Sequence, residues 1–160
     1  MSVQPKTVVC VEDTPFAALS LQGVFHRVFP EIDLKVVSDA ENAQRVLLGE
    51  PFFRWEPDCN WEIYIQQRAV AVWGVIWDNQ FPEFPGGRPV EDMGILTAGA
   101  IAASGKVSRE VLSRFAVSSA DPPEKFRCCG VFSKIVPKPI TARQLKSLLS
   151  DWGHCPEGGI

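Results

Sequence analysis

The residues best placed to do chemistry in this sequence stand at the ends of its apolar runs. Glu12 and Asp13 close "TVVCV", and Asp78 closes "VWGVIW" within the stretch "VIWDNQFP". A carboxylate at the mouth of a buried strand is penalised by desolvation unless something compensates it. Further along, "FAVSS" ends in Ser119, with Ser118 one step before it, and "IVPKPI" carries Lys138. Three carboxylates, a hydroxyl and an ammonium gathered at one point are the inventory for a hard divalent cation and a phosphoryl group. Oxygen ligands suit Mg²⁺, which takes few carboxylates and keeps waters, while Lys and a hydroxyl can hold phosphoryl oxygens. Without a cation, clustered carboxylates repel one another and raise each other's pKa.

The elements that must gather these groups alternate between strand and helix signals. "TVVCV" is a β-branched run, and Thr14-Pro15 supplies an N-cap and a proline at the first helical position. Ala17, Leu21, Val24, Phe25 and Val28 then recur at helical spacing up to Pro30. "DLKVV" reads as a second strand, followed by a helix whose Ser38 and Glu41 fit a capping box. "VWGVIW" is the third strand, and Met93, Leu96, Ala100 and Ile101 outline a helix ending near Gly105. "FAVSS" and "FSKIV" are the fourth and fifth strands. A last helix has a Thr141/Gln144 capping box and a stripe of Leu145, Leu148, Leu149 and Trp152. Such alternation implies a parallel sheet covered on both faces, with every strand C-terminus on one edge, where open sheets bind ligands. Glu12, Asp13, Asp78, Ser119 and Lys138 all fall on that edge.

Composition excludes several other classes. The chain has 160 residues, 46% of them hydrophobic, and a net charge of −3. One domain of this size buries a substantial core, and no basic patch suggests nucleic-acid binding. The start "MSVQPKTVVC" lacks a leader-like apolar region and no window is long and apolar enough to span a bilayer, so no membrane contact is expected and the cytoplasm is the expected compartment. Five cysteines without a CxxC pair are read as reduced thiols. His26 and His154 have no partners in the sequence that suggest catalysis.

The pattern resembles the receiver domains of response regulators in two-component signalling. The resemblance rests on "VVCVED", on "VIWDNQFP" with Asp78, Pro82 and then Gly86, on "SSA" after the fourth strand, and on "IVPKPI" with Lys138-Pro139. It implies a doubly wound, flavodoxin-like α/β fold with five parallel strands in the order 2-1-3-4-5, spanning residues 1–153 as one domain ahead of a flexible tail, 154–160. It also implies that Asp78 is the phosphoacceptor and that Asp13, Asp78 and the Gln80 carbonyl hold Mg²⁺, with Glu12 acting through water. Ser119 becomes the switch hydroxyl and Lys138 its phosphoryl-pairing partner. Phosphoryl groups would come from a sensor histidine kinase or a histidine phosphotransfer protein. With no effector domain following, the output of a stand-alone receiver would pass through contacts with a downstream protein or a second copy of the chain; such a domain is not a dedicated enzyme.

The sequence departs from that pattern in several places, among them the longer connection "GKVSREVLSR" before the fourth strand and Pro137 directly before Lys138. About residues 51–71, ahead of the third strand, lies an extra segment rich in aromatic and aliphatic residues. It either folds back on the sheet edge or second helix, or forms a partner surface anchored by Trp55, Trp61 and Tyr64. "DPPEKFRCCG" is short and proline-rich for a fourth helix, and Ile135 stands where these domains usually carry an aromatic. A degenerate receiver used only for docking is therefore the alternative function. An aspartyl phosphohydrolase is disfavoured, because its general acid would fall on Gln80 and its nucleophile on the first strand.

Overall fold

The computed structural model describes residues 5–57 and 62–155. Five parallel strands form the central sheet: β1 (Thr7–Val11), β2 (Asp33–Val37), β5 (Val72–Trp77), β6 (Phe115–Ser119) and β7 (Lys134–Pro137), ordered β2-β1-β5-β6-β7. This is the expected doubly wound order, with two additional strands, β3 (Phe52–Pro57) and β4 (Glu62–Gln67), paired as a separate antiparallel hairpin. The helices are α1 (Pro15–Val28), α2 (Ala40–Leu47), α3 (Met93–Ser104), α4 (Arg109–Leu112), α5 (Pro123–Arg127) and α6 (Ala142–Asp151).

Side-chain alternation along the strands splits the core into two layers. Val8, Cys10, Ile76, Ala116 and Val136 pack against α1 and α6, through Leu21, Phe25, Leu145 and Leu149 among others. Val9, Val11, Val75, Trp77, Phe115 and Val117 face α2, α3 and α5. Every residue of β1 is buried, as a central parallel strand requires. Gly74 explains how α6 closes on the sheet, since a Cβ there would lie 2.8 Å from the Trp152 ring. Pro137 stands at the last position of β7, an edge strand of the sheet, where a residue without an N–H is best tolerated.

Several local readings shift. α2 is capped one residue later than the spacing suggests: Asp39 accepts the Asn42 N–H at 2.8 Å, Ser38 Oγ donates to Asp39, and Glu41 instead pairs with Arg45. In α3 the buried face is Gly94, Thr97, Ala98 and Ile101, whereas Leu96 is 60% exposed. The Thr141/Gln144 capping box is present as expected. α5 is a five-residue helix, matching the shortened fourth helix of the sequence reading.

The extra segment is the hairpin, and it straddles the β2 edge. Phe52 joins the α2/α3 layer and Trp55 the α1/α6 layer, while the Phe53 N–H donates to Asn42 Oδ1 at 2.8 Å. Trp55 is thus a core residue, 3% exposed, as the first of the two readings of this segment has it and not the partner-surface anchor of the second; Tyr64 is partly buried against the same layer. Ile135 packs against the α2/α3 layer, and Trp61 lies outside the described residues. The expected tail is also anchored at its start. His154 is buried, its ring edge-on to Phe29 and Trp73. Residues 156–160 lie outside the described residues. Cys10, Cys128, Cys129 and Cys155 are free thiols. No helix among the described residues is long and apolar enough to cross a membrane.

Candidate phosphoacceptor site

Parallel register carries the functional side chains to one edge. The ladder continues one residue beyond β1 and β5, with the Glu12 N–H donating to Val37 O at 3.0 Å and the Asp78 N–H to Val11 O at 2.9 Å. Glu12 and Asp78 therefore emerge beside one another. Ser119 pairs in register with Pro137, which puts Lys138 just past the end of the ladder, before a cis Lys138-Pro139 bond. α1 begins one residue after Asp13, with Thr14 as its N-cap and Pro15 at its first position.

Glu12, Asp13 and Asp78 each offer an oxygen within 4.8 Å of the others. Lys138 Nζ lies 2.5 Å from Glu12 Oε2 and 3.5 Å from Asp78 Oδ2, and the other Glu12 oxygen accepts the Thr14 N–H at 3.1 Å. Both oxygens of Glu12 are engaged within the chain, and those of Asp78 meet the Asn79 N–H at 2.8 Å and Lys138 at 3.5 Å. Asp13, Thr14, Asp78, Gln80, Pro89, Ser119, Ala120, Asp121 and Lys138 line a cleft of about 260 Å³. All five side chains singled out at the strand ends thus belong to one site, and Gln80 lines the same cleft. Ser119 faces this cleft, and its Oγ accepts the Asp121 N–H at 3.1 Å. Ser118 is buried on the other face of β6, towards α1 and α6.

The electrostatics are those of an undersupplied anionic cluster. Burial, then the neighbouring Glu12 carboxylate, pushes the Asp78 carboxyl up to about 7. Burial, then Asp78, raises Asp13 to about 6. Burial pulls the Lys138 ammonium down, but Glu12 and Asp78 outweigh it and the net shift is upward. One ammonium does not balance three carboxylates, and hard oxygen donors at this spacing fit a hard divalent cation.

Beside this cleft, on the α1 side, runs an apolar cavity of about 280 Å³ whose walls include Phe16, Leu21, Ile76, Pro139 and Ile140, and which shares Glu12, Asp78 and Lys138 with the site. Phe16 at its mouth is 84% exposed. The sequence reading missed Asn79, which is fully buried after Asp78 and hydrogen-bonded to Asp92 and Asp121. An Asn after a strand-end Asp reads as a turn residue, and nothing in the local sequence marks it as buried.

The chain matches no protein-family model and none of the curated proteins. Solved structures do resemble it. The bacteriophytochrome response regulator AtBRR is 16% identical with a TM-score of 0.66, covering 94% of each chain. A two-component response regulator from Legionella pneumophila is 13% identical with a TM-score of 0.62, over 92% of this chain and 98% of that one. A CheY-like receiver domain from Methylobacillus flagellatus is 16% identical with a TM-score of 0.58, over 92% and 98%. The chain has the fold of response-regulator receiver domains.

Proposed function

We propose that this chain is a receiver that accepts a phosphoryl group on Asp78 from a phosphohistidine and signals through protein contacts. The observation that carries the reading is the meeting of Glu12, Asp13, Asp78, Ser119 and Lys138 at the C-terminal edge of a receiver-type sheet. An Asp78 carboxylate oxygen attacks phosphorus, the P–N bond breaks, and the imidazole leaves with the electron pair and takes up a proton. Lys138 moves its charge from Glu12 towards the arriving phosphoryl oxygens. Ser119 already accepts an N–H from Asp121, so its own O–H remains available to donate to the phosphoryl group. Asp13, Asp78 and the Gln80 carbonyl would hold Mg²⁺, with Glu12 acting through water. When bound, Mg²⁺ supplies positive charge against the phosphoryl oxygens.

The donor is a sensor kinase or phosphotransfer protein, and the exposed Phe16 with its neighbouring apolar cavity offers a surface for it beside the acceptor. The recipient of the signal is a downstream protein, and the compartment is the cytoplasm. Acetyl phosphate tests the chemistry without a partner. Mg²⁺-dependent, base-labile phosphate incorporation that is lost in Asp78→Asn is the expected result; equal labelling of that variant contradicts the assignment.

A further inference from the structure

Outside the carboxylate cluster, polar groups converge on Asn79. It is fully buried, and every polar group it owns is used. Its backbone N–H donates to Asp78 Oδ1 at 2.8 Å, and its carbonyl accepts the Gly94 N–H at 3.1 Å. Its side-chain Oδ1 accepts the Ile95 N–H at 3.3 Å, while Nδ2 donates to Asp92 Oδ1 at 3.0 Å and Asp121 Oδ2 at 2.8 Å. The partners fix the orientation of the amide, since carboxylates only accept and a backbone N–H only donates. Lys125 on α5 completes the ring, its Nζ 2.6 Å from Asp92 Oδ1 and 3.8 Å from Asp121 Oδ2.

Three features direct this clamp at the acceptor. Asp92 holds a left-handed backbone, φ 61°, that a non-glycine residue adopts at a cost, and its side chain serves Asn79 and Lys125 instead of capping α3. At Gly94 a Cβ would collide with the Asp78 carbonyl oxygen and lie 2.9 Å from Asn79 Cα, so the start of α3 presses on the Asp78–Asn79 peptide. That same peptide N–H holds Asp78 Oδ1, leaving Oδ2 as the oxygen that faces Lys138. Filling space alone would be served by an apolar side chain without the desolvation of an amide, whereas a fully satisfied buried network specifies one geometry.

We propose that Asn79 is a positioning residue for the acceptor carboxylate, held to that task from α5 by Lys125 through Asp92 and Asp121. This inference rests on Asp78 being the phosphoacceptor. The test is the rate of phosphate incorporation against acetyl phosphate concentration at saturating Mg²⁺, for wild type, Asn79→Ala, Lys125→Met and Lys125→Arg. Misaligning a nucleophile by a fraction of an ångström to an ångström lowers rate more than binding, so Asn79→Ala should lose about tenfold to a hundredfold in maximal rate. Its half-saturating acetyl phosphate and Mg²⁺ concentrations should stay within about twofold of wild type. Lys125→Met should lose less in the same direction, and Lys125→Arg, which keeps a cation against Asp92 and Asp121 as well as Glu91, should restore the rate. Lys125 lies outside the reacting groups and its side chain is 29% exposed, so this pair decides the matter if Asn79→Ala does not fold. A wild-type maximal rate in either Asn79→Ala or Lys125→Met overturns the inference, as does a loss that falls equally on Mg²⁺ binding and melting temperature. If the wild type itself takes no label, the receiver reading fails and the positioning role falls with it. If the wild type labels normally and the variants match it, only the positioning role falls.

Discussion

Asp78 and Asp13 sit in the folded protein with carboxyl groups raised to about 7 and about 6 from an ordinary 3.8. A carboxyl whose folded pKa is raised binds its proton more tightly in the native state than in the unfolded chain. Its contribution to stability is full below the unfolded value and is lost as pH rises through the folded value. Metal-free protein should therefore lose stability between about pH 4 and about pH 7 through these two groups. Cation binding needs the deprotonated carboxylates, so the gain in melting temperature on adding Mg²⁺ should grow from about pH 5 to about pH 8. Asp13→Asn should be more stable than wild type in metal-free buffer near neutral pH and should show little Mg²⁺ gain; thermal melts across this range check both. These residues were legible in the sequence because each is a polar residue at the end of an apolar run. Asn79 and its clamp were not, because Asp92, Asp121 and Lys125 are brought to it by α3, the β6–α5 turn and α5, and no local spacing announces that meeting.

The hairpin of β3 and β4 shows where element-scale reading runs short. Its strand character and apolar content were visible, and covering the β2 edge is one of the two outcomes the sequence left open. Which aromatic is buried was not visible, since Phe52 and Trp55 lie on opposite faces of β3 and each is covered only because the hairpin straddles the β2 edge, while Phe53, on the same face as Trp55, is left uncovered. Phe52 and Trp55 face the core while Phe53 and Ile63 are 37% and 38% exposed. Trp55→Ala should cost about 3–5 kcal/mol in denaturant unfolding, and Phe53→Ala or Ile63→Ala roughly 1 kcal/mol or less. Equal costs at the two kinds of position would mean that the hairpin is not seated as described. The α2 cap teaches the same lesson on a smaller scale. Ser38, Asp39, Glu41 and Asn42 allow two capping registers, and the burial of Asp39 with the Asn42–Phe53 hydrogen bond selects the later one.

Across the whole molecule, chemistry and closure occupy opposite edges of the sheet. At the N-terminal edge His154 links the last helix to the first strand. Its Nδ1 accepts from the Lys6 ammonium at 3.0 Å, which can only donate, so Nε2–H is left to donate to Glu31 at 2.8 Å. Lys6 and Arg114 lie over the Trp73 ring beside it. His154→Ala empties a buried ring site and should cost about 2–4 kcal/mol, while Asp78 at the far edge should label as in wild type. The sheet order and both core layers were legible because strand and helix periodicities alternate cleanly; the anchoring of His154 was not, because its partners come from three distant stretches of chain. The central claim is tested most directly by locating the phosphate. Protein incubated with acetyl phosphate and Mg²⁺, reduced with borohydride to convert an aspartyl phosphate to homoserine, and mapped by peptide mass spectrometry should carry the conversion at position 78 and require Mg²⁺. Conversion at another carboxylate, or none in a folded, Mg²⁺-saturated protein, would contradict the assignment of Asp78 as the phosphoacceptor.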